Sequence, residues 1–320
     1  MKPLLENSLN LTEDDIFKPF SVEEVLQKRL KGCTLNSDGT YSSESDVDLS
    51  ELGLIKLPVK FKEVKGHFDC SNNNLTTLKG APEESGGDFD CSRNKLTSLE
   101  GAPREVGLDF WCYFNKLISL EGAPEKVSGN FYCHYNELTT LKGAPEKVGG
   151  IFSCSYNKLT TLKGAPREVK GAFYCSYNKL TALEGASREV GGEFWCAHNQ
   201  LTTLEGCPKE VGKDFICGYN KLTSLEGAPR YVGGSFRCIH NNLITLEGSP
   251  IKVGGDFWCS CNNFTTLKGA PREVGKSFVC KNNKLTSLEG APEKVGGGFS
   301  CKGNSVLIHK LRKTISRSYL

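Results

Sequence analysis

A phenylalanine returns every 21 residues along this chain: Phe68, Phe89, Phe110, Phe131, Phe152, Phe173, Phe194, Phe215, Phe236, Phe257, Phe278 and Phe299. Two residues after each comes a cysteine, from Cys70 to Cys301. Three residues further comes an asparagine, from Asn73 to Asn304. A typical unit is FSCSYNKLTTLKGAPREVKGA, from Phe152 to Ala172. A divergent unit, Val47 to His67, precedes the series and puts Leu49 and Leu52 at the cysteine and asparagine positions. A unit this short cannot bury an apolar face alone. Repeated at a fixed period, it buries one by stacking on its neighbours, which predicts a solenoid.

Within a unit, Phe-x-Cys has the period of a strand, so both side chains point inward and the residues between them point outward. Asn closes the next turn, and its amide supplies a donor and an acceptor to a turn that leaves both kinds of backbone group unpaired. Two leucines follow (Leu159 and Leu162), then Gly164, Ala165, Pro166 and Val169 carry the chain back. Twenty-one residues leave no room for a long helix and the proline breaks one. The return side is therefore expected to be extended or polyproline-like.

The pattern resembles the leucine-rich repeat, whose general form is L-x-x-L-x-L-x-x-N-x-L, with Phe and Cys in two leucine sites and Asn and Leu in their usual places. The short unit with proline on its return side is similar to bacterial leucine-rich effectors of the LPX type. The wording N-K-L-T-S-L-E-G-A-P-x-x-V-G-G-x-F-x-C resembles leucine-rich repeat proteins of tailed phages and some bacteria. The resemblance covers Val47 to Asn304. It implies an all-β-leaning horseshoe with a parallel sheet on the concave face, an extended convex side and helical caps. Two departures stand out. There is one residue more between Val and Phe than in the 20-residue effector repeat, and only sixteen residues follow Asn304, where effectors carry a ligase domain.

Fifteen cysteines cannot all pair within the chain. The twelve in register are expected to be reduced, small apolar filler in a narrow core. A ladder at 21-residue intervals does not converge as a tetrahedral metal site requires, so no metal or cofactor is expected. Cys207 reads as further filler. Cys261 lies on the outward side and reads as the thiol best placed to react, without a catalytic role. In FWCAHN (Phe194 to Asn199), Cys196 and His198 look like a nucleophile and its base, yet the repeat sends one inward and the other outward.

The second, fourth and fifth residues of each unit face outward, and there the repeats vary. The second position carries all three tryptophans, Trp111, Trp195 and Trp258, with Tyr132, Tyr174 and Arg237. The fourth adds Tyr113 and His134 among small residues. The fifth carries Phe114, Tyr135, Tyr156, Tyr177, His198, Tyr219 and His240. Cross-strand stacking would account for aromatics on a strand surface. A partner-binding face accounts for their concentration on one surface. Acids lie toward one end of the band (Asp69, Asp90), and Lys281 and Lys302 toward the other.

Residues 1–46 read as an N-terminal cap, with a capping-box helix at Ser21 to Leu30 and then a hairpin turning at Asp38-Gly39. Residues 47–304 are the repeats, twelve full units and a partial one. Residues 305–320 read as a basic capping helix. The acids in MKPLLENSLNLTEDDIF leave no room for a signal peptide, and no run of eighteen apolar residues suits a membrane. A cytoplasmic protein is expected, in the host cytoplasm if phage-encoded. A net charge of +3 is too small to imply nucleic acid, and no catalytic motif stands out. The expected function is non-enzymatic binding of a protein partner through the aromatic face. The resemblance to phage proteins implies a host protein or a virion component as that partner. A glycan is the first alternative ligand. Nucleic acid, met by the basic end, is the second.

Overall fold

The computed structural model describes residues 28–305. They form a right-through solenoid built from two parallel sheets. One contains thirteen strands, from Val47–Asp48 to Phe299–Ser300, each of the repeats contributing the Phe and the residue after it. The strands follow chain order with Phe beside Phe, as in the register Phe173↔Phe194. We call it the Phe sheet.

The return side forms the second sheet, of fourteen strands. Most are the residue pair ending in Val, such as Glu168–Val169 beside Glu189–Val190. The return segment is thus extended, as expected, and is also hydrogen-bonded from coil to coil. Its first edge is closed by a hairpin: Thr34–Leu35 pairs antiparallel with Tyr41–Ser43, and the turn is held by Asp38, which accepts from the Thr40 N–H at 3.0 Å. The cap helix expected over Ser21 to Leu30 lies outside the described residues except at its end, where Lys28 and Arg29 are helical. The basic tail from 306 also lies outside them. Among the described residues no helix is long and apolar enough to cross a membrane.

Between the sheets runs a core one side chain wide. The Phe rings follow one another at 5.1–5.6 Å between centroids. Cys, the two leucines and Val complete each layer, nearly all with no exposed surface. Each buried Phe contributes about 2–3 kcal/mol of apolar transfer. The fifteen cysteines are all free thiols. Burial pushes the Cys196 thiol well above its ordinary value, with Cys175 and Cys207 adding to the rise. Such thiols stay protonated and behave as apolar filler.

The asparagines tie the coils together. The Asn178 Oδ1 accepts from the Leu159 N–H of the preceding coil at 3.0 Å. Its Nδ2 donates to the Cys154 carbonyl of that coil (3.1 Å) and to the Cys175 carbonyl of its own (3.2 Å). The same pattern recurs at Asn136, Asn157, Asn199 and Asn241. A second side-chain ladder was not anticipated. The residue before each Phe, where it is Asp or Asn, accepts from the equivalent N–H one coil on: Asp109 from Asn130 (2.7 Å), Asn130 from Ile151 (2.6 Å), Asp214 from Ser235 (2.7 Å).

On the return side, cations and carboxylates pair across coils, as in Lys147–Glu168 (2.9 Å) and Lys252–Glu273 (3.1 Å). They are exposed, so solvent screens them and they add little to stability.

Candidate functional site

The outer surface of the Phe sheet is built from three columns of side chains. They come from the second, fourth and fifth positions of each coil and run along the solenoid axis. All fifteen residues singled out in the sequence lie on it.

The fifth position leaves the strand in the left-handed backbone region, with φ from +50° to +60° in twelve successive coils. This region is usual for Gly and Asn and unusual for aromatic residues. Yet Phe114, Tyr135, Tyr156, Tyr177, His198, Tyr219 and His240 occupy it in unbroken succession. Their rings form a single stack. Successive centroids are 4.2–4.5 Å apart and the planes lie within 13° of parallel. The Arg93 guanidinium closes one end, 4.8 Å from the Phe114 ring. Cys261 follows at the other end. It is half-buried, with the Asn282 Nδ2 4.0 Å from its Sγ. Because each ring covers the next, the column presents ring edges and hydroxyls. Partial desolvation and the flanking hydroxyls of Tyr135 and Tyr177 push the Tyr156 hydroxyl up to about 12.

The second position forms a less regular column. Tyr174 and Trp195 are tilted against each other at 4.6 Å, and Arg237 lies over Trp258 at 5.2 Å. Trp195 and Trp258 are the exposed tryptophans, whereas Trp111 is half-buried with its Nε1 unpartnered. The Tyr174 hydroxyl is 3.1 Å from Glu193 Oε2, which draws the ring toward the residue preceding Phe194.

The fourth position lies between these columns. The His134 ring is 5.9 Å from Tyr132 and 5.6 Å from Tyr135, and it stacks on Tyr113 at 4.8 Å. Burial lowers the His134 pKa, so the imidazole is neutral at pH 7, and its Nδ1 is buried without a partner. In the next four coils this position is Ser155, Ser176, Ala197 and Gly218. These small residues are buried between the flanking columns.

The acidic end of the face has its own electrostatics. Asp48, Asp69 and Asp90 sit on adjacent strands. Asp90 is buried, which raises its pKa; a hydrogen bond from Ser92 opposes the rise, and Asp69 and Asp88 add to it, leaving it at about 6. Folded Asp90 therefore holds its proton more tightly than the unfolded chain does. Its contribution to stability is complete below about pH 4 and is lost as pH rises through about 6. Asp90→Asn keeps an oxygen to accept from the Ser92 N–H (2.7 Å). We expect this variant to be more stable than the parent at pH 7.5 by about 2–3 kcal/mol, with the gap closing by pH 4. Urea unfolding at the two pH values checks this; a gap of equal size at both would refute it.

Among the described residues, no three His, Cys, Asp or Glu side chains are grouped to hold a metal ion. Cys196 and His198 sit on opposite faces, the first fully buried and the second in the outer stack.

At the level of sequence, no family model matches the chain, nor does any curated protein. Solved structures are similar in fold. The leucine-rich repeat domain of APL1B aligns with a TM-score of 0.50 at 16% identity, over 98% of this chain and 92% of that one. YopM from Yersinia enterocolitica aligns at 0.48 and 18% identity over 82% of this chain; the match spans 65% of that protein's length, just under two thirds. YopM of Yersinia pestis, described as a leucine-rich effector protein, aligns at 0.46 and 17%, over 82% of this chain and 78% of that one. With the 21-residue coil, the inward Phe and Cys and the asparagine ladder, the fold is that of a leucine-rich repeat solenoid.

Proposed function

We propose that the chain is a non-enzymatic scaffold that binds a protein partner through the aromatic outer face of its Phe sheet. The observation that carries this reading is the seven-ring column in left-handed backbone. A non-glycine residue in that region costs roughly 1–2 kcal/mol. A stacked aromatic pair returns about 0.5–1.5 kcal/mol beyond its area burial, which offsets the strain. Asparagine would serve the same turn with less strain, as Asn72 and Asn282 do outside the stack. The turn itself therefore gives no reason for seven aromatics in succession, whereas a recognition surface does. Tyr and Trp supply large contact area at low entropic cost.

The same stacking argues against a glycan as ligand. Sugars pack on free ring faces, and the faces in this column are occupied by one another. Nucleic acid would require cations along the face, and its aromatic stretch from Tyr135 to Tyr219 has none. The resemblance of the repeat wording to phage proteins supports a host protein as the partner, met in the cytoplasm.

The test is affinity capture with the full chain and with the triple variant Trp111→Ala, Trp195→Ala, Trp258→Ala. A partner held by the parent is expected to be lost by the variant, with at least a 10-fold fall in affinity once purified. Equal retention by both chains would refute the reading.

A further inference from the structure

We propose that the outer face of the return sheet pairs with the same face of a second copy of this chain, through two like-charged ladders that complement each other across a two-fold axis. The two residues before each return-strand Val form two columns along the solenoid. Along most of its length the signs change often enough for neighbouring coils to pair. Arg104–Glu125 (3.7 Å) and Arg272–Glu293 (3.1 Å) do so in the first column, and Lys126–Glu105 (3.3 Å) in the second.

One stretch differs. Its first column reads Arg167, Arg188, Lys209 and Arg230, and its second reads Glu168, Glu189 and Glu210. Only here do both columns hold one sign over three successive coils. The members are neighbours in space: Glu168 lies in register with Glu189, and the Arg188 N–H donates to the Arg167 carbonyl at 3.1 Å. The outer members have partners within the chain. Arg167 pairs with Glu146, Glu168 with Lys147, and Arg230 lies over the Tyr231 ring at 5.7 Å. The central members, Arg188, Glu189, Lys209 and Glu210, are exposed and form no ion pair among the described residues. Like charges opposite each other on neighbouring strands repel, so this charge order is one the fold by itself does not favour. An open groove of about 870 Å³ runs over these coils, lined by members of both ladders and by Gly191, Gly212 and Gly233.

Charge complementarity selects the occupant. The partner must bring a line of carboxylates beside a line of cations, both at the coil spacing of about 4.8 Å. A second copy carries that pattern. With a two-fold axis parallel to the solenoid axis and between the ladders, the basic ladder of each copy lies over the acidic ladder of the other, coil against the same coil. Arg188 then meets Glu189 of the second copy, and Lys209 meets its Glu210. Each contact occurs twice, as a self-complementary interface requires. A two-fold axis along the strands would instead set acid on acid and base on base, so charge also fixes the orientation. The Phe sheet lies across the core from this contact, so the two aromatic faces point away from it. A contact built from exposed charges is weak and screened by salt.

Sedimentation equilibrium of the full chain, at about 20 mM and about 500 mM salt, tests this. Two charge-reversed chains accompany the parent: Glu189→Lys with Glu210→Lys, and Arg188→Glu with Lys209→Glu. The positions are exposed, and an unchanged thermal midpoint verifies folding; the single variants Glu210→Lys and Lys209→Glu serve if a double variant misfolds. The parent is expected to dimerise at low salt, with a dissociation constant weaker by about 10-fold or more at high salt. Each reversed chain alone is expected to stay monomeric, whereas their equimolar mixture regains the dimer, since every rung then sets opposite charges together. A parent that is monomeric at low salt, a dimer indifferent to salt or to the reversals, or a mixture that stays monomeric would overturn the proposal. The triple tryptophan variant is expected to dimerise as the parent does; loss of its dimer would place the contact on the Phe sheet and overturn the proposal as well.

Discussion

Replacing Asn178 with alanine is expected to lower stability by about 3–5 kcal/mol, and the reason lies in how many backbone groups one amide serves. The Leu159 N–H has the Asn178 Oδ1 as its acceptor, at 3.0 Å inside the core. Stripping it costs about 1–3 kcal/mol. The Cys154 carbonyl takes one bond from Asn157 (3.0 Å) and one from Asn178 (3.1 Å), so it is left half-satisfied. The Cys175 carbonyl loses its bond from Asn178 in the same way. Each such bond is worth about 1 kcal/mol net. Asn178→Asp should be no rescue: it keeps the acceptor and points a second oxygen at two carbonyls. Coils of a solenoid contact only their neighbours, so the damage should stay local. Hydrogen exchange is therefore the sharper measurement. The Leu159 amide should lose protection by two orders of magnitude or more, while amides near Asn283 keep theirs. Unchanged exchange at Leu159 would show that the ladder does not bear the coil-to-coil contact.

The second large effect is expected at Gly206→Ala. Gly206 sits after the Leu-Glu pair with φ +85°. A Cβ there would lie 2.6 Å from the Glu184 N and 2.7 Å from the Leu183 C, both backbone atoms of the preceding coil. Backbone held by its own hydrogen bonds cannot swing aside as a side chain does. Overpacking of this kind costs about 1–3 kcal/mol, and the left-handed conformation adds roughly 1–2 kcal/mol. The two parts can be separated with Gly39→Ala. Gly39 has φ +80° but open space around its Cα, so that variant should show the conformational part alone. Comparable losses in the two variants by urea unfolding would show that the close approach of coils at Gly206 carries no weight.

These effects bear on the proposed function because the proposed binding face is rigid only if its coils are. The aromatic columns sit on strands of two residues, too short to be stable alone. What holds Tyr174, Trp195 and their neighbours in register is the packing and the side-chain ladders beneath them. A face ordered before it meets its partner loses little entropy on binding.

Much of this architecture is legible in one dimension. A strict period turns a local pattern into a long-range one, since every coil repeats the same contacts with the next. Phe-x-Cys already tells which way Phe194 and Cys196 point. The invariant spacing from Cys196 to Asn199 already implies an amide that closes a turn. The separation of Cys196 from His198 follows from the same alternation and removes the apparent catalytic pair.

Other features depend on distances between coils, which no single unit encodes. Nothing in the residue types of Tyr156, Tyr177 or His198 announces a left-handed backbone, because that signal belongs to Gly and Asn. Only Asn72, Asn282 and Gly303 in the same column hint at it. Whether neighbouring aromatics offer faces or edges is set by the spacing of the coils, here 4.2–4.5 Å between rings, at which each ring hides its neighbour. The asparagine ladder is written in the period, whereas the burial of Ser155, Ser176 and Ala197 between the columns is decided by the neighbouring coils. Side-chain type is a property of the chain; what covers a side chain belongs to the stack of coils.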